Sequence, residues 1–393
     1  IGCAGGSSTF LMVNPTSPTG TVASPLPVMA SYDAIDHGST KILVPLDGKN
    51  PAKGVTSEPV DVPWPIKAIW FTKSNAVSNV QDSKRFIELL KDESKLELVV
   101  VSDSLPTDTV RYADIILPVT HWFETDEVVG TISHPYMLRN EPAIEAPFEA
   151  KSDYDAIGLV ATKLGYGQYY LRSTREVADA IAEASCSAVG TDGAQLFATY
   201  QQSGATRLTP PDFVGNTSPK YATPTGKLEP YSESVLVNYP TNGRIPISAG
   251  VDPLPFWSPP IQAWHENPLV KKYPLTYMQE HSRWRVHTTY FDQPWLREVD
   301  PEPYLDISSS DARQRGIRQG DRVEMFNSYG STVAVARVSG KMRPGMVSIP
   351  KGWQRFQTRD DTGFSDLTNN WVNQRTMNGS WFDNLVEVRK VEV

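Results

Sequence analysis

The segment Glu280–Tyr290, with the sequence EHSRWRVHTTY, concentrates side chains that can bind a large anionic ligand. It holds two arginines, two histidines, one serine and two threonines around a tryptophan. Arginine matches the oxygens of a phosphate group, and hydroxyl groups add further hydrogen bonds. The apolar residues follow neither the period of a strand nor that of a helix, so a basic surface loop is the alternative interpretation.

The pair Ser102–Asp103 is a second candidate, because it directly follows the apolar run Leu96–Val101. A carboxylate at the end of a strand can accept paired hydrogen bonds from the N–H groups of a purine such as guanine. The alternative is that the pair caps the N-terminus of a following helix, a position that Ser and Asp both favour.

The amide-rich segment Asn373–Thr376 is a third candidate, since amides donate and accept hydrogen bonds and so suit a pterin edge or a ribose. A polar surface loop is the alternative there. His121 and His134 lie near several carboxylates in what we expect to be a loop. Their spacing matches no recognised metal-ligand pattern, so a solvated acidic loop is favoured over a metal site.

Short apolar strands alternate with amphipathic helices between Ile66 and Val119, which predicts an open, Rossmann-like α/β sheet. Ligands bind beyond the carboxyl ends of the strands in such sheets, so Thr72–Asn79 and Ser102–Thr109 are expected to line a site. The predicted elements are strands at Lys67–Phe71, Leu96–Val101 and Asp114–Val119, a helix at Asp82–Lys91 and a helical turn at Thr107–Tyr112.

From Tyr273 onwards, short strands and tight turns predict a compact β-barrel. Its predicted strands are Tyr304–Ile307, Arg322–Phe326, Ser331–Val338, Met346–Pro350 and Asn384–Val393, with a helical turn at Asp311–Gly316. Before the barrel, helices are predicted at Lys151–Gly165 and Thr174–Ser185, and residues 186–264 are expected to be rich in loops. The predicted regions are an irregular segment at 1–62, which contains a short strand Lys41–Pro45 and packs on absent N-terminal domains, an α/β part at 63–215, a linker at 216–272 and a barrel domain at 273–393.

Composition sets outer limits on function. With 393 residues, 39% of them apolar, the chain is long enough for two or three folded domains. The net charge of -8 argues against an extended nucleic-acid-binding surface. Two distant cysteines, Cys3 and Cys186, exclude an iron–sulfur cluster or thiolate zinc site held by this chain alone. Because the sequence starts at Ile1 with neither a methionine nor a secretory signal, we expect a piece of a larger enzyme.

Six segments resemble the molybdopterin oxidoreductases of the dimethyl sulfoxide reductase type, in the order in which that family has them. They are Ser102–Glu124 (SDSLPTDTVRYADIILPVTHWFE), Ala150–Gly165 (AKSDYDAIGLVATKLG), Thr223–Glu233 (TPTGKLEPYSE), His281–Tyr290, Asp311–Gly330 and Pro344–Trp353. Together they extend over most of the chain. The resemblance implies an α/β dinucleotide-binding part followed by a β-rich double-psi barrel domain.

The resemblance also implies a bis(molybdopterin guanine dinucleotide) cofactor with molybdenum or tungsten. It assigns one guanosine end to the sheet, through Asn75, Ser102, Asp103, Thr107 and Asp153. It assigns the pterins and the pyrophosphate to the barrel, through Glu280, His281, Ser282, Arg283, Trp284, Arg285, His287, Thr288 and Asn373. The family turn Gly-x-Asn-Pro reads Lys73-Ser74-Asn75-Ala76 here, a departure that leaves the role of Asn75 open.

Family members commonly carry an N-terminal cysteine cluster for a 4Fe-4S centre and a side-chain ligand to molybdenum, and neither is recognisable in this sequence. We therefore expect the C-terminal portion of a catalytic subunit that is incomplete and inactive alone. The expected partners are the remainder of that subunit, an iron–sulfur electron-transfer subunit, a membrane anchor and a small-molecule substrate, with no nucleic acid. The resemblance is compatible with a periplasmic or membrane-associated location.

Three functions are open at this stage. The first is an oxidoreductase that transfers oxygen atoms or electrons to or from a small substrate. The second is a non-redox hydratase or hydroxyl transferase with the same cofactor, and the third is a nucleotide-binding module without catalysis. Nothing in the sequence identifies the substrate or a catalytic residue.

Overall fold

The structure, a computed structural model, describes residues 28–45, 57–62, 65–131, 134–189, 192–209, 225–231, 254, 256–372 and 379–391. The helices are α1 (Val28–His37), α2 (Ala76–Asn79), α3 (Ser83–Lys91), α4 (Asp153–Lys163), α5 (Thr174–Ser187), α6 (Gly193–Ser203), α7 (Pro294–Val299) and α8 (Ser309–Gln314). The strands are β1 (Thr40–Pro45), β2 (Ser57–Val62), β3 (Ala68–Thr72), β4 (Leu98–Asp103), β5 (Ile115–Pro118), β6 (Glu127–Thr131), β7 (His134–Asn140), β8 (Ala205–Arg207), β9 (Leu275–Met278), β10 (Tyr304–Ile307), β11 (Arg322–Phe326), β12 (Ser331–Val338), β13 (Met346–Ser348) and β14 (Leu385–Lys390). None of the helices in these ranges is long and apolar enough to cross a membrane.

Strands β3, β4 and β5 form a parallel sheet with β4 in the middle. The central strand is apolar until its last two residues, Ser102 and Asp103, as expected for a strand covered on both faces. Helix α3 places Phe86, Leu89 and Leu90 in the same buried cluster as β4. The predicted α/β sheet is therefore present, whereas its Rossmann-like classification stays a prediction.

Helix α1 shows that the expected irregular backbone of residues 1–62 is wrong for part of that segment. Tyr32 and Ile35 are buried beside α3, and the Tyr32 ring stacks on Phe86 with 4.9 Å between centroids. Two core residues three positions apart are too short a pattern to identify a helix from sequence. The following strand β1 agrees with the short strand predicted at this place.

A separate antiparallel sheet consists of β6, β7 and β8. Met137 of β7 packs in one cluster with Cys186 of α5 and Tyr200 of α6. The loop predicted around His134 is wrong, because His134 begins β7. The loop-rich prediction for the chain after residue 186 is wrong for residues 193–207, which form α6 and β8.

Strands β9 to β14 close into a barrel in the order β10–β12–β11–β14–β9–β13, with β13 pairing back to β10. Buried and half-buried residues alternate along β11 and β12, and the buried ones, such as Met325 and Ala336, fill the interior with Leu305 and Val347. Strands β10, β11 and β12 have the bounds that the sequence predicted. The predicted barrel is confirmed as a closed six-stranded barrel, and its double-psi topology stays a prediction.

The parallel sheet has an uncovered edge in the described part of the chain. Ile115 and Ile116 of β5 are 46% and 56% exposed. Because neighbouring residues of a strand point to opposite faces, the sheet is open on both faces at this strand. Leu159 and Leu164, at and just after α4, are also exposed. Parallel sheets are normally covered on both faces, so this surface is one that a folded neighbour would bury.

Candidate functional site

The carboxyl ends of β3 and β4 bring together the charged side chains of Lys73, Asp103 and Asp153. The Lys73 amide donates to the carbonyl of Ser102 at 2.8 Å, which continues the pairing of the strands beyond β3. The Lys73 ammonium lies 3.2 Å from Asp153 Oδ2, in the first turn of α4. The other carboxylate oxygen, Asp153 Oδ1, is buried and accepts no hydrogen bond from the described residues. This edge thus offers a cationic donor beside a free acceptor.

Asp103 is held in one orientation by its neighbours. Its Oδ1 accepts from the Ser104 amide at 2.8 Å, and its Oδ2 accepts from the Thr107 hydroxyl at 3.2 Å. Burial raises the pKa of Asp103, while these hydrogen bonds and the nearby charge of Lys73 act in the opposite direction. Each carboxylate oxygen has two lone pairs, so Asp103 can still accept hydrogen bonds from a ligand.

The predicted site residues Ser102 and Asn75 are buried and already have protein partners. Ser102 Oγ accepts a hydrogen bond from the Trp70 indole at 2.5 Å. Asn75 Nδ2 donates to Gln354 Oε1 at 2.9 Å, and Asn75 Oδ1 accepts from the Thr109 hydroxyl at 3.0 Å. Both side chains therefore hold the backbone at this edge of the sheet in place.

Arg285 is buried, unlike the other arginine of the basic segment. Its guanidinium forms a salt bridge with Asp300 and stacks on the Trp353 ring, 3.7 Å from the centroid. Its Nη2 also donates to the Asp300 carbonyl at 3.3 Å. Gly352 packs closely against the basic segment, since a Cβ at that position would lie 2.2 Å from the carbonyl oxygen of His287. Arg285 and Gly352 together fix the path of the segment.

His281, His287 and Lys351 form a basic cluster that has no carboxylate partner among the described residues. The two imidazole rings lie 5.7 Å apart, and the backbone of His281 pairs with that of Lys351. Partial burial and the charges of Lys351 and His281 lower the pKa of His287, and burial lowers the pKa of Lys351. Lowered pKa values are expected for cations that lie close together without a counter-ion. A bound anion would raise these pKa values again.

The remaining predicted residues of the segment lie at its surface. Glu280 is occupied by an ion pair with Lys341 at 2.8 Å. The Arg283 guanidinium lies over the Trp284 ring, 5.1 Å from its centroid, and Ser282 Oγ accepts from the Trp284 amide at 3.1 Å. Both Arg283 and Trp284 are exposed and therefore accessible to a ligand.

The sheet and the barrel meet beside both candidate surfaces. Asn79 Nδ2 at the end of α2 donates to Thr288 Oγ1 at 3.3 Å. Gln354, which holds the asparagine at the start of α2, also accepts from the Asp108 amide at 3.0 Å. The carboxyl edge of the sheet and the segment Glu280–Tyr290 consequently border one interface.

A buried ionic network closes the other side of this interface. Arg355 Nη1 donates to Asp366 Oδ1 at 2.6 Å, and the Ser83 hydroxyl of α3 donates to the same oxygen at 2.6 Å. The Arg355 amide donates to Asp108 Oδ2 at 2.6 Å, and burial raises the pKa of Asp108. These contacts between the two parts are polar and buried.

Asn373 lies outside the described residues, so its role stays a prediction. The described part of the chain contains no group of three or more potential metal ligands. The sequence analysis did not single out Lys73, Lys351 or Gln354. Lys73 lies within Thr72–Asn79, which was expected to line a site, and it stands where the family turn has glycine. Lys351 lies within the family-like segment Pro344–Trp353, and Gln354 directly follows that segment.

Two family models match this chain. A model described as "Molybdopterin oxidoreductase" matches residues 28–163, which contain the parallel sheet. A model described as "Molydopterin dinucleotide binding domain" matches residues 275–380, which contain most of the barrel and the basic cluster. The two matches place the chain in the class of proteins that bind a molybdopterin dinucleotide.

The chain belongs to the molybdopterin oxidoreductase family, and its relatives are catalytic subunits of the dimethyl sulfoxide reductase type. It is 31% identical to a putative dimethyl sulfoxide reductase catalytic subunit of Halobacterium salinarum, over 73% of this chain and 33% of that one. It is 30% identical to dimethyl sulfoxide reductase DmsA of Escherichia coli, over 83% and 42%. It is 27% identical to acetylene hydratase of Syntrophotalea acetylenica, over 80% and 41%.

Among solved structures, acetylene hydratase from Pelobacter acetylenicus has a similar fold. The TM-score is 0.65 at 23% identity, over 84% of this chain and 45% of that one. The chain therefore spans less than half the length of these relatives.

Proposed function

We propose that this chain binds a bis(molybdopterin guanine dinucleotide) cofactor within the catalytic subunit of a molybdenum oxidoreductase. What carries the proposal is one observation, that the carboxyl edge of the sheet and the basic segment of the barrel border the same interface. The family membership supports the cofactor class. The substrate would be a small molecule that accepts or donates an oxygen atom or electrons.

The residues present fit the chemistry of such a cofactor. The basic cluster of His281, His287 and Lys351 has no carboxylate partner among the described residues, which suits a pyrophosphate anion. Asp103 and the buried Asp153 Oδ1, which accepts no hydrogen bond from the residues that the structure describes, suit a base that donates N–H groups.

The bound cofactor would supply the change of oxidation state, which protein side chains cannot provide. In this proposal the residues of the chain bind and orient: the basic cluster neutralises negative charge, and Asp103 and Asp153 accept hydrogen bonds at the nucleotide end. Arg283 and Trp284 offer an exposed cation and ring on the same segment. Arg285 is a positioning residue, because its guanidinium is already occupied by Asp300 and Trp353.

A non-redox hydratase is the second candidate, favoured by the similarity to acetylene hydratase over 80% of this chain. The binding residues would serve either chemistry equally. Turnover by the purified enzyme in the complete absence of an electron donor or acceptor would support the hydratase. Strict dependence on a redox partner would support the oxidoreductase, with a role in anaerobic respiration.

The partners that we propose are the remainder of the catalytic subunit, an iron–sulfur centre in that remainder, and separate electron-transfer and membrane-anchor subunits. The uncovered β5 edge supports the first of these, because Ile115 and Ile116 are exposed on a parallel sheet. The relatives are more than twice as long as the part of them that this chain matches, so they contain further chain that could cover this edge.

The proposal is tested by metal and nucleotide analysis of the purified enzyme that contains this chain. We expect molybdenum or tungsten by mass spectrometry, and GMP after acid hydrolysis. Asp103→Ala should lower both contents, whereas Asp92→Ala, at an exposed site on the turn after α3, should leave them unchanged. A nucleotide without metal would indicate a plain binding module, and neither metal nor GMP would refute the assignment.

A further inference from the structure

A cavity of about 520 Å³ lies between the chain that follows β5 and the first turns of α4. A second cavity of about 380 Å³ borders it along residues 142–146, and Glu124 lines both. Neither cavity is lined by a residue that we assign to the cofactor. The two cavities together are called the acidic groove below.

Hydrogen bonds hold both walls of the acidic groove in place. On one wall, the Phe123 carbonyl accepts from the Ala143 amide at 2.7 Å, which fixes the second cavity beside the chain that follows β5. On the other wall, Ser152 caps α4 by accepting from the Asp155 amide at 3.0 Å. The groove is therefore formed before any occupant enters it.

The groove lies in the most acidic part of the chain. Residues 121–155 carry eight carboxylates and two cationic side chains, so they supply six of the eight net negative charges of the chain. Asp126 is neutralised by Arg175, and the exposed Lys151 also lines the groove. Three further lining carboxylates form no ion pair with the described residues: Glu124, Glu145 and Asp155. This excess of negative charge favours a cationic occupant.

Thr120 indicates independently that the groove is filled in the complete protein. The residue lines the larger cavity and is only 3% exposed. Its hydroxyl oxygen is buried and forms no hydrogen bond with the described residues. Buried polar groups are nearly always paired, so an occupant is expected to supply the missing partner.

Apolar side chains surround the groove. Trp122 and Phe123 are exposed, and their ring centroids lie 3.6 Å apart. Phe148, between the lining residues Ala146 and Ala150, is fully exposed and has a φ of +53°, in the left-handed region that side chains rarely adopt. Exposed apolar side chains beside a charged cavity are typical of a protein–protein contact.

We propose that the acidic groove binds a basic segment of the catalytic subunit that lies outside this chain. A lysine or arginine side chain of that segment enters the larger cavity, and its apolar neighbours pack on Trp122, Phe123 and Phe148. The inference rests on the proposed function, because it presumes that this chain is part of a longer catalytic subunit.

The same polypeptide is the occupant that the surroundings of the groove favour. Leu159 of α4 lines the larger cavity and also belongs to the exposed apolar surface beside the β5 edge, so one neighbour covers both. The relatives contain more chain outside the matched part than within it. A second copy of this chain fits less well, because its net charge of -8 opposes the charge of the groove.

The test is carboxylate labelling of the full-length catalytic subunit, purified as a monomer. Carbodiimide couples glycine ethyl ester to accessible carboxylates, and mass spectrometry gives the rate at each residue. Glu145 and Asp155 are exposed in this chain, so their protection requires an occupant. We expect both to react roughly tenfold more slowly than the exposed Glu93 on the turn after α3.

Glu145→Lys tests the charge of the occupant. A new cation in the groove repels a basic segment, so the labelling rate of Asp155 should rise about fivefold or more. Glu93→Lys is the matched control and should leave that rate unchanged. Continued protection of Asp155 in Glu145→Lys would show that the occupant is not basic and would overturn the inference.

Further outcomes identify the source of the occupant. Protection that appears only in a complex with a separate subunit, or only in a dimer, would assign the groove to another chain and refute the stated occupant. Equal labelling of Asp155 and Glu93 in an enzyme that retains molybdenum and GMP would refute this inference alone. An enzyme with neither metal nor GMP would instead refute the proposed function.

Discussion

At the scale of single residues, Arg285 shows why a side chain that looks like a phosphate ligand need not be one. From sequence, two arginines separated by one residue look equivalent. In the structure Arg283 is exposed, whereas Arg285 is buried against Asp300 and Trp353. The difference arises from long-range packing, which local sequence does not encode.

Arg285→Ala should therefore act through stability. Removing the guanidinium leaves Asp300 buried without a counter-charge, so we expect the free energy of unfolding to fall by about 3–5 kcal/mol. Urea denaturation followed by tryptophan fluorescence measures this loss. Arg283→Ala is the control and should change the same quantity by less than about 0.5 kcal/mol. Equal effects of the two substitutions would contradict a positioning role for Arg285.

The basic cluster predicts a pH dependence of anion binding. In the free protein the pKa values of His287 and Lys351 are lowered, and a bound anion favours their charged forms. Binding then takes up protons, so affinity must rise as pH falls, by up to about tenfold per pH unit and per proton taken up.

Titration of the cofactor-free protein with sulfate, an anion whose charge does not change near neutral pH, checks this sign at several pH values. His287→Gln should flatten the dependence, while His265→Gln, whose side chain is exposed in an ion pair with Glu266, should not. An affinity that rises with pH would rule out an anion site at the cluster.

At the scale of elements, the reliability of the sequence reasoning followed the strength of the periodic pattern. Strands β11 and β12 alternate between buried and half-buried residues, and their predicted bounds are the observed ones. Helix α6 buries only Gly193 and Tyr200, so its pattern was too weak to distinguish from a loop. The pairing of β7 with β6 and β8 depends on partners distant in the chain, which a local pattern does not reveal.

The turn after β13 should tolerate no side chain at Gly352. Its φ of +114° and the 2.2 Å approach of a Cβ to the His287 carbonyl oxygen both oppose alanine. We expect Gly352→Ala to lower the free energy of unfolding by about 2 kcal/mol or more and to weaken pyrophosphate binding, because the basic segment must shift. Gly340→Ala, where a Cβ meets nothing within 4 Å, is the control, and a comparable loss there would contradict the close-packing argument.

At the scale of the whole molecule, buried ionic contacts join the sheet and the barrel. Asp366 binds Arg355 within the barrel part and Ser83 of α3, so it serves both sides of the interface. The sequence indicated two separate parts but not these contacts, because residues 83 and 366 meet only through the tertiary fold. Their burial suggests that the two parts unfold together.

Asp366→Asn should break this coupling. Arg355 would remain buried without its anionic partner, so we expect the free energy of unfolding to fall by about 3–5 kcal/mol. Hydrogen exchange with mass spectrometry should show peptides of β3 and β4 exchanging before those of the barrel in the variant, and together with them in the parent. The control is Asp361→Asn, which removes an exposed ion pair with Arg111 across the same interface. It should lower the free energy of unfolding by less than about 1 kcal/mol. Synchronous exchange in both variants would contradict a coupling role for Asp366.

The barrel closes through β14, which lies between β11 and β9. A ribosome must therefore synthesise the chain through Lys390 before the ring of strands that supports the basic cluster can be completed. Until then β9 and β11 present bare edges that bind other extended chains. The surface that carries the basic cluster is therefore completed only after β14 has been synthesised and has paired with β9 and β11.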